Sequence, residues 1–594
     1  MDIKFKTQTF ENNKLINYYK NLYHLGLIDL NNLKITNKNN HDSNNSLEYL
    51  IKLNLKELSL NKNSLVLNNN SLIDLDEFDV FCFDIDHTIA IYNNNNLAEL
   101  MWNSFTEYLY KYRNYPDIRS NKDNLNNNEN NLFINLFKEK EKFYSLDIIL
   151  DKKTGLALKL NSNKKITKAY YGYKELSNIE IDKIYKNGIF FEFDYTIKNN
   201  EYYRFISGWY DYCCISIYLF YIEIFEYYIN KNLLINKDLN NFLSNDTITL
   251  INNSNYIIKD NNNLSINYSK IINDIMSALV YNYCNFDTVT KDIYKCKTFN
   301  DSMFFKEIFN NPKKYLCNKN NSLNRSLLEN LKMKNKNIVF ITNSTFEFSK
   351  LILSNSIGED YLDFCDLIVY FANKPSFFKN ELTNYYDIAL ENKNKNIINS
   401  DKVVSNSNVN EIRLGVLNPF NKTYFLDEEN NKQCGEEVLF DFSFKDCQYQ
   451  LFNKVKQNKQ FILGNYQFVE WFYKYKCNKE NNLKYLMIGD SILSDCYDAN
   501  KLHSWRSMFV LSSLEYKKTS DNVNNLSKNF GVKWGKFLHF NEFDEIDHDK
   551  YIIFNTDKSN INNNLDKLNL SIDLIKKEKI MVIPHIEYID YLSS

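Results

Sequence analysis

Glycine and proline are scarce in this chain: 594 residues carry 12 of the first and five of the second. So few turn-formers exclude collagen-like, proline-rich and glycine-rich linker architectures. An excess of one charge is also missing. Lys and Arg number 72 against 74 Asp and Glu, a formal net charge of -2. That balance leaves no electrostatic footprint for nucleic acid or for an anionic membrane surface. The 11 cysteines and seven histidines form no C-x-x-C and no Cys/His cluster. A structural zinc site is therefore excluded, and scattered thiols fit a reducing compartment. The N-terminal MDIKFKTQTFENNK lacks the apolar core of a signal peptide. The oiliest run, CCISIYLFYIEIFEYYI at 213–229, is short for a membrane span and carries Glu223 and Glu226, both costly in lipid. It reads as a buried, aromatic-rich helix, and the chain as soluble and cytoplasmic.

What is present is ample apolar material, 44 % hydrophobic and 15 % aromatic residues, enough for a sizeable core. The length implies about two to four domains. Asn, Lys, Ile, Tyr and Phe share AT-rich codons, so their abundance reads as compositional drift. Asn-rich patches such as NNNENN and KDNNNLSINYSK read as surface insertions.

Residues 1–75 give short, weakly periodic helical segments, NNKLINYYKNLYHLGLIDL being the clearest, and are expected to form an N-terminal helical extension. From Phe78 a continuous apolar run suits a central strand of a parallel sheet, followed by LAELMWNSFTEYLYKYR at helical spacing. LDIILDKKTGLALKL alternates about a Thr154-Gly155 turn, as a hairpin does. Helices are expected at 205–230, 266–284 and 322–333. Strand-plus-helix grammar then resumes with NKNIVFITNS before FEFSKLILSN, then CDLIVYFANKP, and LKYLMIGDS before DCYDANKLHSW. Strands alternating with helices predict a doubly wound α/β parallel sheet. The core is expected over 76–100 and 336–545, with an insertion at about 385–460 that holds a second hairpin, KTYFLDEENNKQCGEEVLFDF. A large α+β cap is expected over 101–335, and 546–594 as a C-terminal extension.

Four segments deliver polar residues just past the carboxyl end of a predicted strand, the edge where open α/β sheets bind ligands. FDVFCFDIDHTIAIYN runs apolar into Asp84, Asp86, His87 and Thr88. IVFITNS ends on Thr342, Asn343 and Ser344. LIVYFANKP places Lys374 just beyond its strand, and YLMIGDSILSD ends on Gly489, Asp490 and Asp495. Singly, each has a bland reading: a polar turn, a helix cap, a solvated lysine. Their order is what the bland readings do not supply. Two neighbouring carboxylates repel and are costly to desolvate, so a site that uses them is the sharper reading. His87, between Asp86 and Thr88, faces away from its neighbours if the extended geometry persists.

That order resembles the haloacid dehalogenase-like superfamily, and within it the cytosolic purine 5′-nucleotidase and 5′-nucleotidase domain-containing branch. FDIDHTIAIYN, VFITNS, ANKPSFF and MIGDSILSDCYDANKLHSWRSMFVLSSLE carry the resemblance. It spans roughly 78–540 and is patchy in the cap, where YYG stands for an "HG" element; VKWGKF near the end also matches. The resemblance implies a Mg2+-dependent hydrolase of nucleoside 5′-monophosphates. Asp84 would be the nucleophile and Asp86 the acid and base. Asp84, the Asp86 carbonyl and Asp490 would hold Mg2+, with Asp495 a further ligand or the holder of a metal-bound water. Lys374, Thr342 and Asn343 would bind phosphate, with Thr88 ordering the loop and Gly489 allowing close backbone approach.

In the cap, Lys270 and Asp274 could touch substrate, although charges on a helix have a solvated face as their plain reading. DKKTG at 151–155 resembles the phosphorylation motif of ion-pumping ATPases, but it has an extra lysine and reads as a hairpin turn. The alternatives are a phosphatase or phosphotransferase acting on a non-nucleotide phosphomonoester, or a non-catalytic scaffold on the same fold.

Overall fold

The computed structural model describes residues 64–66, 72–118, 127–144, 148–161, 163–191, 202–205, 213–230, 243–244, 265–283, 303–316, 321–379, 424–425, 445–478, 483–510, 533, 575, 578 and 580–583. These fall into two compact units. One lies within Met1–Ile91, Asn318–Leu511 and Glu578–Ser594, the other within Tyr92–Cys317 and Ser512–Lys577.

In the first unit, short apolar runs bounded by polar turns form eight strands. They are Val80–Phe83 (β1), Asn337–Ile341 (β2), Leu367–Tyr370 (β3), Tyr424–Phe425 (β4), Gln460–Ile462 (β5), Tyr485–Gly489 (β6), Trp505–Val510 (β7) and Met581–Ile583 (β8). Their spatial order is β4-β5-β3-β2-β1-β6-β7-β8. Seven strands run parallel and β4 alone is antiparallel, against β5. This is the α/β parallel sheet the sequence predicts. β1 sits between β2 and β6, with Phe83 aligned to Phe340 on one side and Ile488 on the other. Strand order reverses there, so the carboxyl ends of β1, β2 and β6 open a crevice.

Parallel strands covered on both faces are apolar throughout, and β1, β3 and β6 are buried along their full length. The two-residue period sorts their side chains between faces. Val80, Cys82, Val339, Ile341, Leu367, Val369, Tyr485 and Met487 share one core with Phe452, Val455, Phe468, Val469 and Phe472. Those five belong to the helices Lys445–Asn458 and Tyr466–Lys476. Cys82 thus has the buried apolar role its neighbours suggest. On the alternate set of positions Phe83 meets Phe340 edge-on, ring centroids 6.4 Å apart.

The second unit contains a five-stranded antiparallel sheet, in the order Lys174–Glu175, Ile166–Tyr171, Ala157–Leu160, Ile148–Asp151, Tyr202–Phe205. The hairpin about Thr154-Gly155 is present, with Gly155 at φ +74. Asp151 is not a phosphorylation site lookalike in three dimensions. Its carboxylate is engaged by the Lys153 N–H at 2.9 Å, the Thr154 hydroxyl at 2.6 Å and the Tyr185 hydroxyl at 2.5 Å. The oily run forms a buried helix, Cys214–Asn230. Asp274 is buried rather than solvated, held by Lys270 at 2.6 Å and the Tyr115 hydroxyl at 2.9 Å. No helix among the described residues is long and apolar enough to cross a membrane.

Several expectations differ from the structure. The expected helix over DCYDANKLHSW is a π-helical turn, Ile492–Tyr497, followed by a 3-10 turn, Ala499–Lys501. There the Asp495 carboxylate folds back onto the Ser491 N–H at 3.0 Å, so a single turn closes on its own side chain. The helix Asn321–Met333 falls in the first unit, and β8 adds residues 581–583 to the core sheet. Three residues, MVI, are too short a run to betray a sheet edge. Ser64–Val66 and Leu72–Asp74 pair as antiparallel strands where a helical extension was expected. The helical segment at 12–30, most of the hairpin at 422–442 and VKWGKF apart from Lys533 lie outside the described residues.

Asn324, buried on the helix Asn321–Met333, donates through Nδ2 to the Ile89 carbonyl at 2.7 Å, fastening the loop that follows β1. Removing it leaves a buried carbonyl unpaired, a loss of about 1–3 kcal/mol. Asn324→Ala is therefore expected to lower the denaturant midpoint of the core without changing the unfolding slope.

Candidate active site

The Asp84 N–H donates to the Ile488 carbonyl at 2.8 Å, carrying the β1–β6 register one residue past the strand. Extended backbone stops there. The Ile85 carbonyl accepts from the N–H groups of Ile89 at 3.0 Å and Ala90 at 2.9 Å, and His87 lies at φ +53. Strand alternation therefore does not decide where His87 faces. Burial lowers its pKa to about 3, which makes it a poor base near neutrality. Thr88 is buried, its hydroxyl without a partner among the described residues.

Beyond β6, Ser491 opens the π-helical turn and accepts from the Ser494 N–H at 3.3 Å. The turn brings Asp495 back over the strand end. A Cβ on Gly489 would overlap the Asp495 carboxylate, so the glycine makes room for that side chain. The sequence suggested close backbone approach here; the approaching group is a carboxylate of the chain itself.

Lys374 follows β3, and its side chain is 1 % exposed. Its Nζ reaches Asp84 Oδ1 at 2.8 Å, Asp495 Oδ1 at 2.6 Å and the Ile341 carbonyl at 2.8 Å. One N–H of the ammonium is donated to the Ile341 carbonyl, and the two carboxylates pair with its charge at ion-pair distance. Thr342 is buried at the end of β2, and its hydroxyl accepts from the Ser344 N–H at 3.0 Å. The Asn343 side chain lies on the backbone of Lys374. Ser344 donates its hydroxyl to Asp86 Oδ2. Ser344 was visible in TNS, yet its partner could not be read because β1 and β2 are some 250 residues apart in sequence.

Asp84, Asp490 and Asp495 each offer an oxygen within 4.8 Å of the other two. Burial raises the Asp84 pKa; Lys374 opposes that and Asp86 adds to it. Asp495 is pushed up to about 6, chiefly by burial. Asp490 is raised well above the usual carboxylate range by burial and then by Asp84, Asp495 and Asp86. Burial works against the Lys374 ammonium, but Asp495 and Asp84 together hold its pKa above the ordinary value. Asp84, Asp490 and Asp495 thus crowd one lysine. All-oxygen donors with surplus negative charge fit a hard divalent cation. The structure brings together Asp84, Lys374, Asp490 and Asp495; Asp86 enters through Ser344, and Thr88 lies in the turn behind it.

Comparison with known sequences fits this geometry. The sequence model of the 5′ nucleotidase family matches residues 66–579. Over 302 residues the chain is 26 % identical to the human (Homo sapiens) 5′-nucleotidase domain-containing protein 1, covering 50 % of this chain and 54 % of that protein. The protein of the same name from Bos taurus is 25 % identical over the same length, with the same coverage. The chain thus matches about half the length of these curated relatives.

A carboxyl with a raised folded-state pKa holds its proton more tightly folded than unfolded. Its contribution is fully present below the unfolded value, 3.8, and is lost as pH rises through the folded value, about 6 for Asp495. Asp490 is shifted in the same direction, so in chelator at pH 7 Asp490→Asn should be more stable than the parent by on the order of 1 kcal/mol. The gap should close toward pH 4. A divalent cation should raise the melting temperature of the parent and leave the variant unmoved.

Proposed function

Because the chain belongs to the 5′-nucleotidase family, we propose that it is a Mg2+-dependent phosphatase releasing phosphate from nucleoside 5′-monophosphates by way of an aspartyl-phosphate. The observation that carries this is the meeting of Asp84, Asp490 and Asp495 within 4.8 Å at the carboxyl end of the central strand, with Lys374 2.8 Å from Asp84.

Phosphomonoester hydrolysis has a very high uncatalysed barrier, and positioning with charge neutralisation removes most of it. An oxygen of Asp84 attacks phosphorus, the bond to the 5′ oxygen breaks, and Asp86 gives that oxygen its proton. Water then attacks the phosphorus of the aspartyl-phosphate. Asp86 takes the proton from that water, and the Asp84 carboxylate leaves. Ser344 holds one Asp86 oxygen, which restricts the carboxyl while the proton passes. Lys374 lowers the repulsion between Asp84 and an incoming dianion. Asp84, the Asp86 carbonyl, Asp490 and Asp495 would hold Mg2+, whose charge supplies further neutralisation of the phosphoryl oxygens. The Thr342 hydroxyl accepts from the Ser344 N–H and would give its own proton to the phosphate, while Thr88 and Gly489 would keep the two aspartate loops in place.

With Mg2+ present, the purified protein should release phosphate from at least one member of a nucleoside 5′-monophosphate panel. Acid quenching should trap phosphate on the wild type and not on Asp84→Asn, whose kcat should fall on the order of 10³-fold or more. Turnover confined to sugar phosphates or other non-nucleotides would move the substrate class. Silence on every phosphomonoester would remove the hydrolase reading.

A further inference from the structure

The loop that carries Lys374 is an expensive piece of backbone. Phe371 and Asn373 both occupy the left-handed region, at φ +47 and +58, which non-glycine residues adopt only when their surroundings hold them there. The loop is fastened to the one after β2 by a short ladder. Thr342 N–H donates to the Val369 carbonyl at 2.9 Å, the Phe371 N–H to the Ser344 carbonyl at 3.0 Å, and the Ala372 N–H to the Thr342 carbonyl at 2.8 Å. No backbone group of the β2 loop bonds Lys374 itself among these rungs.

Asn343 supplies that rung with its side chain. Its Oδ1 accepts from the Lys374 N–H at 2.6 Å, and its Nδ2 donates to the Lys374 carbonyl at 3.0 Å. The amide orientation is fixed by this pair, since a flip would set donor against donor and acceptor against acceptor. Only a side chain with a donor and an acceptor on one short stem can do this. Aspartate keeps the acceptor and loses the donor; alanine loses both.

We propose that Asn343 is a positioning residue for Lys374: it clamps the main chain of the lysine so that the ammonium meets Asp84 and Asp495. The catalytic consequence rests on the phosphatase reading above, while the geometric consequence does not. The resemblance gave Asn343 a place on the phosphate. The clamp gives it a different and separable task, because an effect exerted through Lys374 must vanish when Lys374 is removed.

The test has a structural arm and a kinetic arm. In crystals of Asn343→Ala without substrate, the distances from Lys374 Nζ to Asp84 and Asp495 should lengthen past 4 Å. Both ion pairs staying at wild-type length would overturn the proposal. Asn343→Asp keeps the acceptor but sets a carboxylate oxygen against the Lys374 carbonyl, so it should displace the lysine as well. In the kinetic arm, kcat of Asn343→Ala should fall about 10- to 100-fold, the scale of an ångström-sized misplacement, with KM changed less than about threefold. On a Lys374→Met background, Asn343→Ala should have no further effect on kcat. Additive losses, or a KM-dominated change, would assign Asn343 to direct phosphate contact instead. A wild type without turnover defeats the phosphatase reading alone, and the crystal distances still decide the clamp.

Discussion

One buried ammonium organises the site. Lys374 Nζ pairs ionically with Asp84 and Asp495 and donates to the Ile341 carbonyl, so the ends of four different elements converge on a single atom. Burying an unpaired charge costs several kcal/mol, and the mutual attraction of charges repays that only with good geometry and satisfied donors. Here the lysine and two carboxylates make one another's burial tolerable. The sheet order follows as a requirement. β1 delivers Asp84, β2 ends at Ile341, the loop after β3 brings Lys374, and the turn after β6 brings Asp495. Any order that separated β1 from β2 or β6 would leave the ammonium short of a partner. Asp490 is the charge this arrangement does not balance, and its carboxyl is accordingly raised well above the ordinary range.

The three residues after β2 divide the remaining work. Thr342 is buried with its hydroxyl turned to its own loop, Asn343 holds the Lys374 backbone, and Ser344 holds the Asp86 carboxyl. Successive residues in a tight loop point in different directions, so three neighbours can serve three groups. The loop therefore couples Asp86 to the loop that bears Lys374. A change in either is felt by the other through about three residues of backbone rather than through the core.

The parallel sheet and the candidate residues were legible in the sequence because both are local signals. A buried parallel strand writes itself as an apolar run, and the residue that follows the run is placed at the ligand-binding edge by topology alone. Asp84, Thr342, Lys374 and Asp490 all follow such runs. What was not legible depends on partners distant in sequence. The bond from Ser344 to Asp86 and the reach of Lys374 to Asp495 join segments that only the fold brings together. The burial of Asp274 was hidden for the same reason, since Tyr115 lies on another element. Residues 581–583 join the sheet through three apolar positions, a signal no stronger than many loops carry. The π-helical turn was missed because Ser491 and Asp495 stand at ordinary helical spacing, and only the carboxylate folding back onto the Ser491 N–H marks the difference.

Gly489 shows how tightly the pieces are joined. In a chain with 12 glycines, this one is not needed for a left-handed backbone, because its φ lies outside the region between +20° and +160°. Its use is space. A single methyl at this position would occupy the volume of the Asp495 carboxylate and drive it off the Ser491 N–H. Lys374 would then keep Asp84 and the Ile341 carbonyl but lose its shortest ion pair. The buried ammonium would be left with half of its compensating charge, a state costlier than the lost contact itself. A residue with no side chain of its own thus governs the charge balance between Asp84 and Lys374. Its missing side chain is as much a part of the site as the carboxylates around it.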